Sequence, residues 1–354
     1  MKKMLFNTLS KEELKKRLAE ETFKRVTLSF YRYVKIDDLE EFRNWLFDGF
    51  ENLHILGRTY LAAEGINSQI SIPQHNFEEF KSLLESHDYL KKMPLKIAVE
   101  DDGKSFYKLI VRLRNKIVAD GLDDHTFDVT NVGNHLSAAE FNQAMDDPNT
   151  IVIDMRNHYE SEIGHFANAI LPDTDTFRET LPVSIEQVKE HKDKKILLYC
   201  TGGIRCEKAS AYFKHQGFQD VNQLLGGIID YHRQVKAEGL ESKFIGKNFV
   251  FDDRLGERIS DEIISKCHQC GNTSDHHTNC ANDDCHLLFI QCEACAEKNK
   301  GCCSQACIDF IALPVDEQKR LRRGLPKHNA HSVYRKSRVR PRLDQIILQE
   351  KNIQ

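Results

Sequence analysis

The segment Ile196-Leu197-Leu198-Tyr199-Cys200-Thr201-Gly202-Gly203-Ile204-Arg205 brings a thiol, two glycines and a cation together in one short stretch. Those residue types at that spacing suit covalent chemistry. The apolar run reads as a buried strand that delivers Cys200 into a tight turn, and Cys206 to Phe213 reads as the helix that follows. A thiol at a strand-to-helix turn lies beneath unpaired backbone N–H groups at the positive end of the helix dipole. With a cation close by, such a site lowers a cysteine pKa and leaves a thiolate nucleophile at neutral pH. Gly202 and Gly203 let the backbone curl, so that amides of the stretch Thr201, Gly202, Gly203 and Ile204 form an anion and substrate loop. Arg205, with its planar fork, is expected to close the loop and hold the anion. A cysteine after an apolar strand is ordinarily a small buried hydrophobe. The whole string, not the cysteine alone, assigns catalytic roles to Cys200 and Arg205. Cys206 stands one helical turn further on, where it either resolves an oxidised Cys200 or packs in the core.

A second cluster of reactive residues follows. Nine of the eleven cysteines fall within residues 267–307. Cys267-x-x-Cys270 and Cys292-x-x-Cys295 have the knuckle spacing that brings two thiolates to one tetrahedral ion. Cys280 with Cys285, and Cys303 (or Cys302) with Cys307, complete two four-cysteine sets with one cysteine to spare. His268, His276, His277 and His286 are the available substitutes. Structural zinc is the expectation, because so short a segment has little core and bound metal would supply its folding energy. Reduced thiols, disulfides formed on oxidation and an iron–sulfur cluster are the alternatives. Beyond it, ten Lys or Arg lie between Lys319 and Arg342, and no acidic residue stands between Glu317 and Asp344. Basic tails are often only solvating. Beside a zinc-type module this density, with Arg335, Lys336, Arg338 and Arg340 at its centre, favours a nucleic acid partner.

The elements that must position these residues divide the chain into four parts. Residues 1–120 alternate strand and helix patterns in the order βαββαβ, which suggests a ferredoxin-like α+β sandwich. Val26 to Val34 alternates at period two, and Asp37 to Phe50 puts Leu39, Phe42, Trp45 and Leu46 on one helical face. Strands follow at 55–63 and 66–72, a helix at 77–90, and closing strands near 95–99 and 106–118. Arg112, Arg114 and Lys116 alternate along the last of these, either as a solvated face or as an RNA-phosphate contact. Residues 121–245 form a parallel α/β domain carrying the Cys200 loop. Within it Asp154 and Arg156 end a strand, where capping or pairing is the expected role, and His165 is expected to pack or hydrogen-bond. Residues 246–312 hold an extension and the cysteine-rich segment, and 313–354 the basic tail.

Bulk properties add limits. The 354 residues suffice for two or three domains. With 50 Lys plus Arg against 54 Asp plus Glu the net charge is −4, so the distribution of charge, not its sum, bears on partners. No run of apolar residues is long enough to cross a membrane, and Ser10 to Glu21 is charged where a signal peptide needs an apolar stretch. A cytoplasmic protein is expected, with its cysteines as thiols, metal ligands or catalysts. No GxGxxG, P-loop or two-His-one-carboxylate pattern supports flavin, nucleotide or non-haem iron.

Cys200-x-x-x-x-Arg205 between a strand and a helix resembles the active-site loop of the rhodanese superfamily. Ile151 to Asn157, Gly164-His165-Phe166-Ala167-Asn168-Ala169-Ile170, and Val221 to Ile228 with its Gly226-Gly227 turn resemble the flanking motifs of that superfamily in the same order. The six-residue loop argues against the related phosphatases, whose loop is longer. Together with Ala63-Glu64-Gly65-Ile66-Asn67 upstream and the cysteine-rich segment downstream, the layout is similar to the bacterial tRNA uridine hydroxylase family across nearly the whole chain. The resemblance implies oxygen-dependent hydroxylation of the wobble uridine of tRNA at carbon 5, with dioxygen as a substrate and the anticodon loop as partner. Two other classes fit the residues: a sulfurtransferase carrying a persulfide on Cys200, and a non-catalytic RNA-binding scaffold.

Overall fold

The computed structural model describes residues 10–100, 105–123 and 126–323. The chain opens with a helix that the sequence reading did not anticipate, α1 (Lys11–Glu20), started by a capping box in which Ser10 Oγ accepts from the backbone N–H of Glu13. Then come β1 (Arg25–Tyr33), α2 (Leu39–Asn52), β2 (Leu56–Ala62), β3 (Gly65–Pro73), α3 (Phe77–Glu85), β4 (Lys96–Ile97) and β5 (Leu109–Leu113). The sheet order is β4-β1-β3-β2-β5. The first four are antiparallel neighbours in the order of a ferredoxin-like sandwich, and β5 joins parallel to β2. The β2–β3 hairpin depends on Gly65 at φ +146°, where a Cβ would lie 2.0 Å from the Arg32 carbonyl oxygen. The period-two pattern of β1 sorts its side chains. Leu28 and Phe30 enter a core closed by Phe42, Leu46 and Phe50 of α2 and Phe80 and Leu84 of α3. Thr27, Ser29 and Tyr31 project from the other face. The expected last strand is shorter than the alternation suggested, since it ends at Leu113. Arg112 and Arg114 are exposed, whereas Lys116 turns to Asp120 at 2.8 Å.

The chain continues through β6 (Asn134–Leu136), α4 (Ala138–Met145), β7 (Thr150–Asp154), α5 (His158–Ser161), β8 (Gly164–Phe166), α6 (Phe177–Val188), β9 (Lys195–Tyr199), α7 (Ile204–His215), β10 (Asp220–Leu224) and α8 (Gly227–Glu238). β10 lies between β6 and β9, parallel to both, which is the parallel α/β arrangement expected around Cys200. The last elements are β11 (Phe244–Asn248), β12 (Glu257–Arg258), β13 (His277–Asn279), β14 (Leu288–Ile290), α9 (Glu293–Lys298), α10 (Gln305–Ile311) and α11 (Val315–Arg322). Two compact units result. Among the described residues the first holds those between 10 and 151, 189–241 and 250–257, and so contains both the N-terminal sheet and the Cys200 loop. Among the described residues the second holds 152–188, 242–249 and 258–323. In it β8 pairs antiparallel with β11, and β13 with β14. Among the described residues no helix is long and apolar enough to cross a membrane.

Candidate active site and metal centres

Ile196, Leu197, Leu198 and Tyr199 of β9 are all fully buried, so the strand carries Cys200 directly into the interior, and Cys200 is itself 0% exposed. Gly203 then adopts φ +92° as N-cap of α7, a left-handed turn that glycine makes at no steric cost. A Cβ at that position would lie 2.8 Å from the Tyr31 hydroxyl. The turn aims the Gly203 N–H at Cys200 Sγ, 3.1 Å away. Burial pushes the Cys200 thiol up. The Cys206 hydrogen bond, the Arg205 charge and the backbone N–H groups of Arg205 and Cys206 outweigh it and bring the thiol down to about 6. Cys206, equally buried, is pushed well up by burial and by its neighbour Cys200. The proton therefore resides on Cys206, which donates to the Cys200 thiolate.

Gly226 and Gly227 press α8 against the loop from behind. Ile228 N–H donates to the Cys200 carbonyl at 3.0 Å and Ile229 N–H to the Thr201 carbonyl at 3.2 Å. Arg205 Nη2 donates to Thr201 Oγ1 at 3.3 Å, and its guanidinium lies 5.9 Å over the Phe251 ring. The structure thus brings Cys200, Thr201, Gly202, Gly203, Ile204, Arg205 and Cys206 into one turn. Because the thiolate fraction rises with pH through the thiol pKa, alkylation of Cys200 by iodoacetamide should reach half its maximal rate near pH 6. Arg205→Met removes a cation that favours the charged form and should move that half-point upward. Half-points in the ordinary thiol range for both proteins would contradict this account.

Residues from the N-terminal sheet complete the site, and the sequence reading did not single them out. Glu207, in the first turn of α7, accepts from the Tyr31 hydroxyl at 3.2 Å, from His135 Nε2 at 3.0 Å and from Gln223 Nε2 at 3.0 Å. Its hydrogen bond, together with its negative charge, raises the His135 pKa. The next residue, Lys208, is 2% exposed and pairs with Glu64 at 2.8 Å, with Asp120 at 3.9 Å. Glu64 Oε1 in turn accepts from Ile117 N–H at 2.8 Å. The Ala63-Glu64-Gly65-Ile66-Asn67 stretch is therefore an anchor for the helix that carries the reactive loop. Between loop and sheet lies a cavity of about 230 Å³ lined by Cys200, Thr201, Arg205, Tyr31, Lys96 and Phe251, among others. That is below the roughly 300–1,000 Å³ of drug-sized sites and suits a single flat ring.

In the second unit Arg156, 0% exposed, donates to both carboxylate oxygens of Asp154 and to the Gly164 carbonyl. This is a buried structural pair. His165 Nδ1 is 2.9 Å from the Ser161 carbonyl, a hydrogen-bonding role. The cysteines gather into two sets, Cys267, Cys270, Cys292, Cys295 and Cys280, Cys285, Cys303, Cys307, each with its sulfurs within 4.8 Å of one another. Sulfur separations of 3.6 Å for Cys270–Cys292 and Cys285–Cys303, and 3.8 Å for Cys303–Cys307, are too long for disulfides. They approach the edge of about 3.8 Å that a tetrahedron with Zn–S bonds of about 2.3 Å requires. Both sets could hold a metal ion. The pairs interleave along the chain, so the loop closed by each set contains one pair of the other. Cys302 is the spare; its carbonyl accepts from Gln269 Nε2 at 2.9 Å. His268 bonds Glu162 at 2.8 Å and takes no place in either set. Arg335, Lys336, Arg338 and Arg340 lie outside the described residues.

Family comparisons follow the same division. Residues 25–117 match the UPF0176 acylphosphatase like domain, residues 137–234 the Rhodanese-like domain, and residues 245–308 the Rhodanase C-terminal family. A protein of Leptospira interrogans serogroup Icterohaemorrhagiae serovar Lai, named tRNA uridine(34) hydroxylase, is 56% identical over 98% of this chain and 94% of its own length. A protein of the same name from Pectobacterium carotovorum subsp. carotovorum is 54% identical over 95% of this chain and 94% of its own. With an acylphosphatase-like sheet, a rhodanese-type thiolate loop and the cysteine-rich segment in one order along nearly the full length of such relatives, the chain belongs to the tRNA uridine(34) hydroxylase family.

Proposed function

We propose that this protein hydroxylates the uridine at position 34 of tRNA at carbon 5, using Cys200 as the nucleophile. The observation that carries the reading is a fully buried Cys200 sulfur, 3.1 Å from the Gly203 N–H, on the wall of a cavity suited to one base. An anticodon loop is already single-stranded, so extruding its uridine into such a cavity costs little. Addition of the thiolate to carbon 6 of uracil moves the carbon 5–carbon 6 π pair toward O4 and makes carbon 5 electron-rich. Carbon 5 then takes one oxygen atom of dioxygen, the other leaves as water with two electrons from an external reductant and solvent protons, and loss of the carbon 5 proton and of the thiolate restores the ring. The loop amides and Arg205 hold the thiolate ionised and in place. The purified protein should convert uridine 34 of unmodified tRNA in air when a reductant is supplied. Formation of thiocyanate from thiosulfate and cyanide, without 5-hydroxyuridine, would point instead to sulfur transfer.

Zinc is the metal we assign to the two cysteine sets, in a structural role, because four thiolates per ion leave no open position for chemistry. The basic residues Arg335, Lys336, Arg338 and Arg340 supply phosphate contacts to tRNA in this reading, which places the protein in the cytoplasm with its substrate. Replacing all four by glutamine should weaken tRNA binding and reduce the slope of log affinity against log salt by about 3. An unchanged slope would assign the tail to solubility.

A further inference from the structure

Lys96 presents an unusual situation for a lysine. It lies on β4, directly opposite Ser29 of β1, on the polar sheet face that also carries Tyr31, Asn67 and Gln69. The residue is 5% exposed. Among the described residues its ammonium makes no hydrogen bond and no ion pair. It stands over the Tyr31 ring, whose centroid is 4.0 Å from Nζ. Its Cδ is 3.8 Å from where a Cβ on Gly202 would stand, so the side chain hangs directly over the reactive loop and lines the same cavity as Cys200. Burial lowers its pKa, and the charged groups that face it, Asp230, the Cys200 thiolate, Glu207 and Arg233, all lie beyond ion-pair reach. A buried cation without a carboxylate is costly to maintain, and one aimed into a cavity beside a nucleophile is positioned for a ligand.

We propose that Lys96 is a catalytic residue that binds O4 of the uracil ring and stabilises the enolate formed when Cys200 adds to carbon 6. The inference rests on the hydroxylase reading above. In the step concerned, the sulfur–carbon 6 bond forms as the carbon 5–carbon 6 π pair shifts, giving a carbon 4–carbon 5 double bond and negative charge on O4. The ammonium donates to that oxygen, which carries more charge in the adduct than in free uracil, so the interaction strengthens as the reaction proceeds. An ammonium has three donors and no acceptor, so it accepts uracil O4 and rejects the amino group that cytosine presents at the same place.

This adduct can be observed without any oxidant. A solvent proton adds at carbon 5, the original hydrogen leaves, and departure of the thiolate restores uracil, with no net change in electrons. An anticodon stem-loop tritiated at carbon 5 of uridine 34 alone should therefore release tritium when incubated anaerobically with the protein. Lys96→Met, which removes a buried charge and should fold at least as well, is expected to slow release at least a hundredfold with RNA affinity within threefold. That loss should persist at pH 9, where Cys200 is ionised in any case. Release by Lys96→Met at the wild-type rate, or recovery at pH 9, would overturn the proposal, the latter by making the lysine an activator of the thiol. Wild-type protein that makes 5-hydroxyuridine in air yet releases no tritium overturns it too, while leaving the hydroxylase reading intact. Wild-type protein that does neither fails both.

Discussion

Cys200→Ala is expected to abolish formation of 5-hydroxyuridine in tRNA, by at least about a thousandfold, while leaving the protein folded. The site is built around that sulfur. One strand of fully buried residues ends at it, a left-handed glycine turns an N–H onto it, and a buried guanidinium and a second thiol hold it ionised. Alanine leaves every one of those backbone features in place and removes only the nucleophile. The altered volume is small, so the change in melting temperature should be a few degrees at most. Cys200→Ser should be equally inactive, since a hydroxyl stays protonated where a thiol ionises. Normal hydroxylation by either variant would remove Cys200 from the reaction.

Loss of the metal ligands is expected to have the largest effect on stability. The cysteine-rich segment has two three-residue strands, two short helices and a small cluster around Leu287, Phe289 and Cys302. So little apolar burial does not offset the ordering of the chain. A structural zinc ion contributes about 10–16 kcal/mol, comparable with the whole stability of an ordinary domain. Elemental analysis of the purified protein should give two zinc ions per chain. Cys292→Ser should lose at least one of them and make residues 258–312 sensitive to protease, with the Cys200 loop in the other unit still alkylated near neutral pH. Because the ligand pairs interleave, the second ion should be held more weakly as well. A protein with no bound metal, or a variant that retains both ions and full protease resistance, would contradict the assignment.

What the sequence made legible was whatever the chain keeps local. The Cys200 loop is a strand, a turn and a helix in immediate succession, so its chemistry is written in consecutive residues. The metal sets rest on two-residue spacings that suggest thiolates sharing an ion, although which pair joins which depends on the fold and was not readable. The βαββαβ order followed from the alternation of β1 and the apolar faces of α2 and α3. The opposite wall of the cavity was not legible. Tyr31 and Lys96 are far from Cys200 along the chain, and each reads locally as a polar residue on the outer face of a strand. Only the sheet register, Ser29 opposite Lys96 and Tyr31 opposite Asn67, shows them sharing one face. Glu64 and Lys208 belonged to two motifs noted separately, and their 2.8 Å pairing gives a physical reason for both. The strand expected through Lys116 ended early because Lys116 is held by Asp120 and the Leu122 carbonyl instead of a neighbouring strand. α1 was hidden by its charge, its capping box being the only local sign of it.

The most direct test of the central claim is nucleoside mass spectrometry of tRNA from cells lacking this gene, complemented with the wild-type protein or with Cys200→Ala. 5-Hydroxyuridine and nucleosides derived from it should disappear in the deletion and return only with the wild-type protein. An unchanged hydroxyuridine pool in the deletion, or its full restoration by Cys200→Ala, would contradict it.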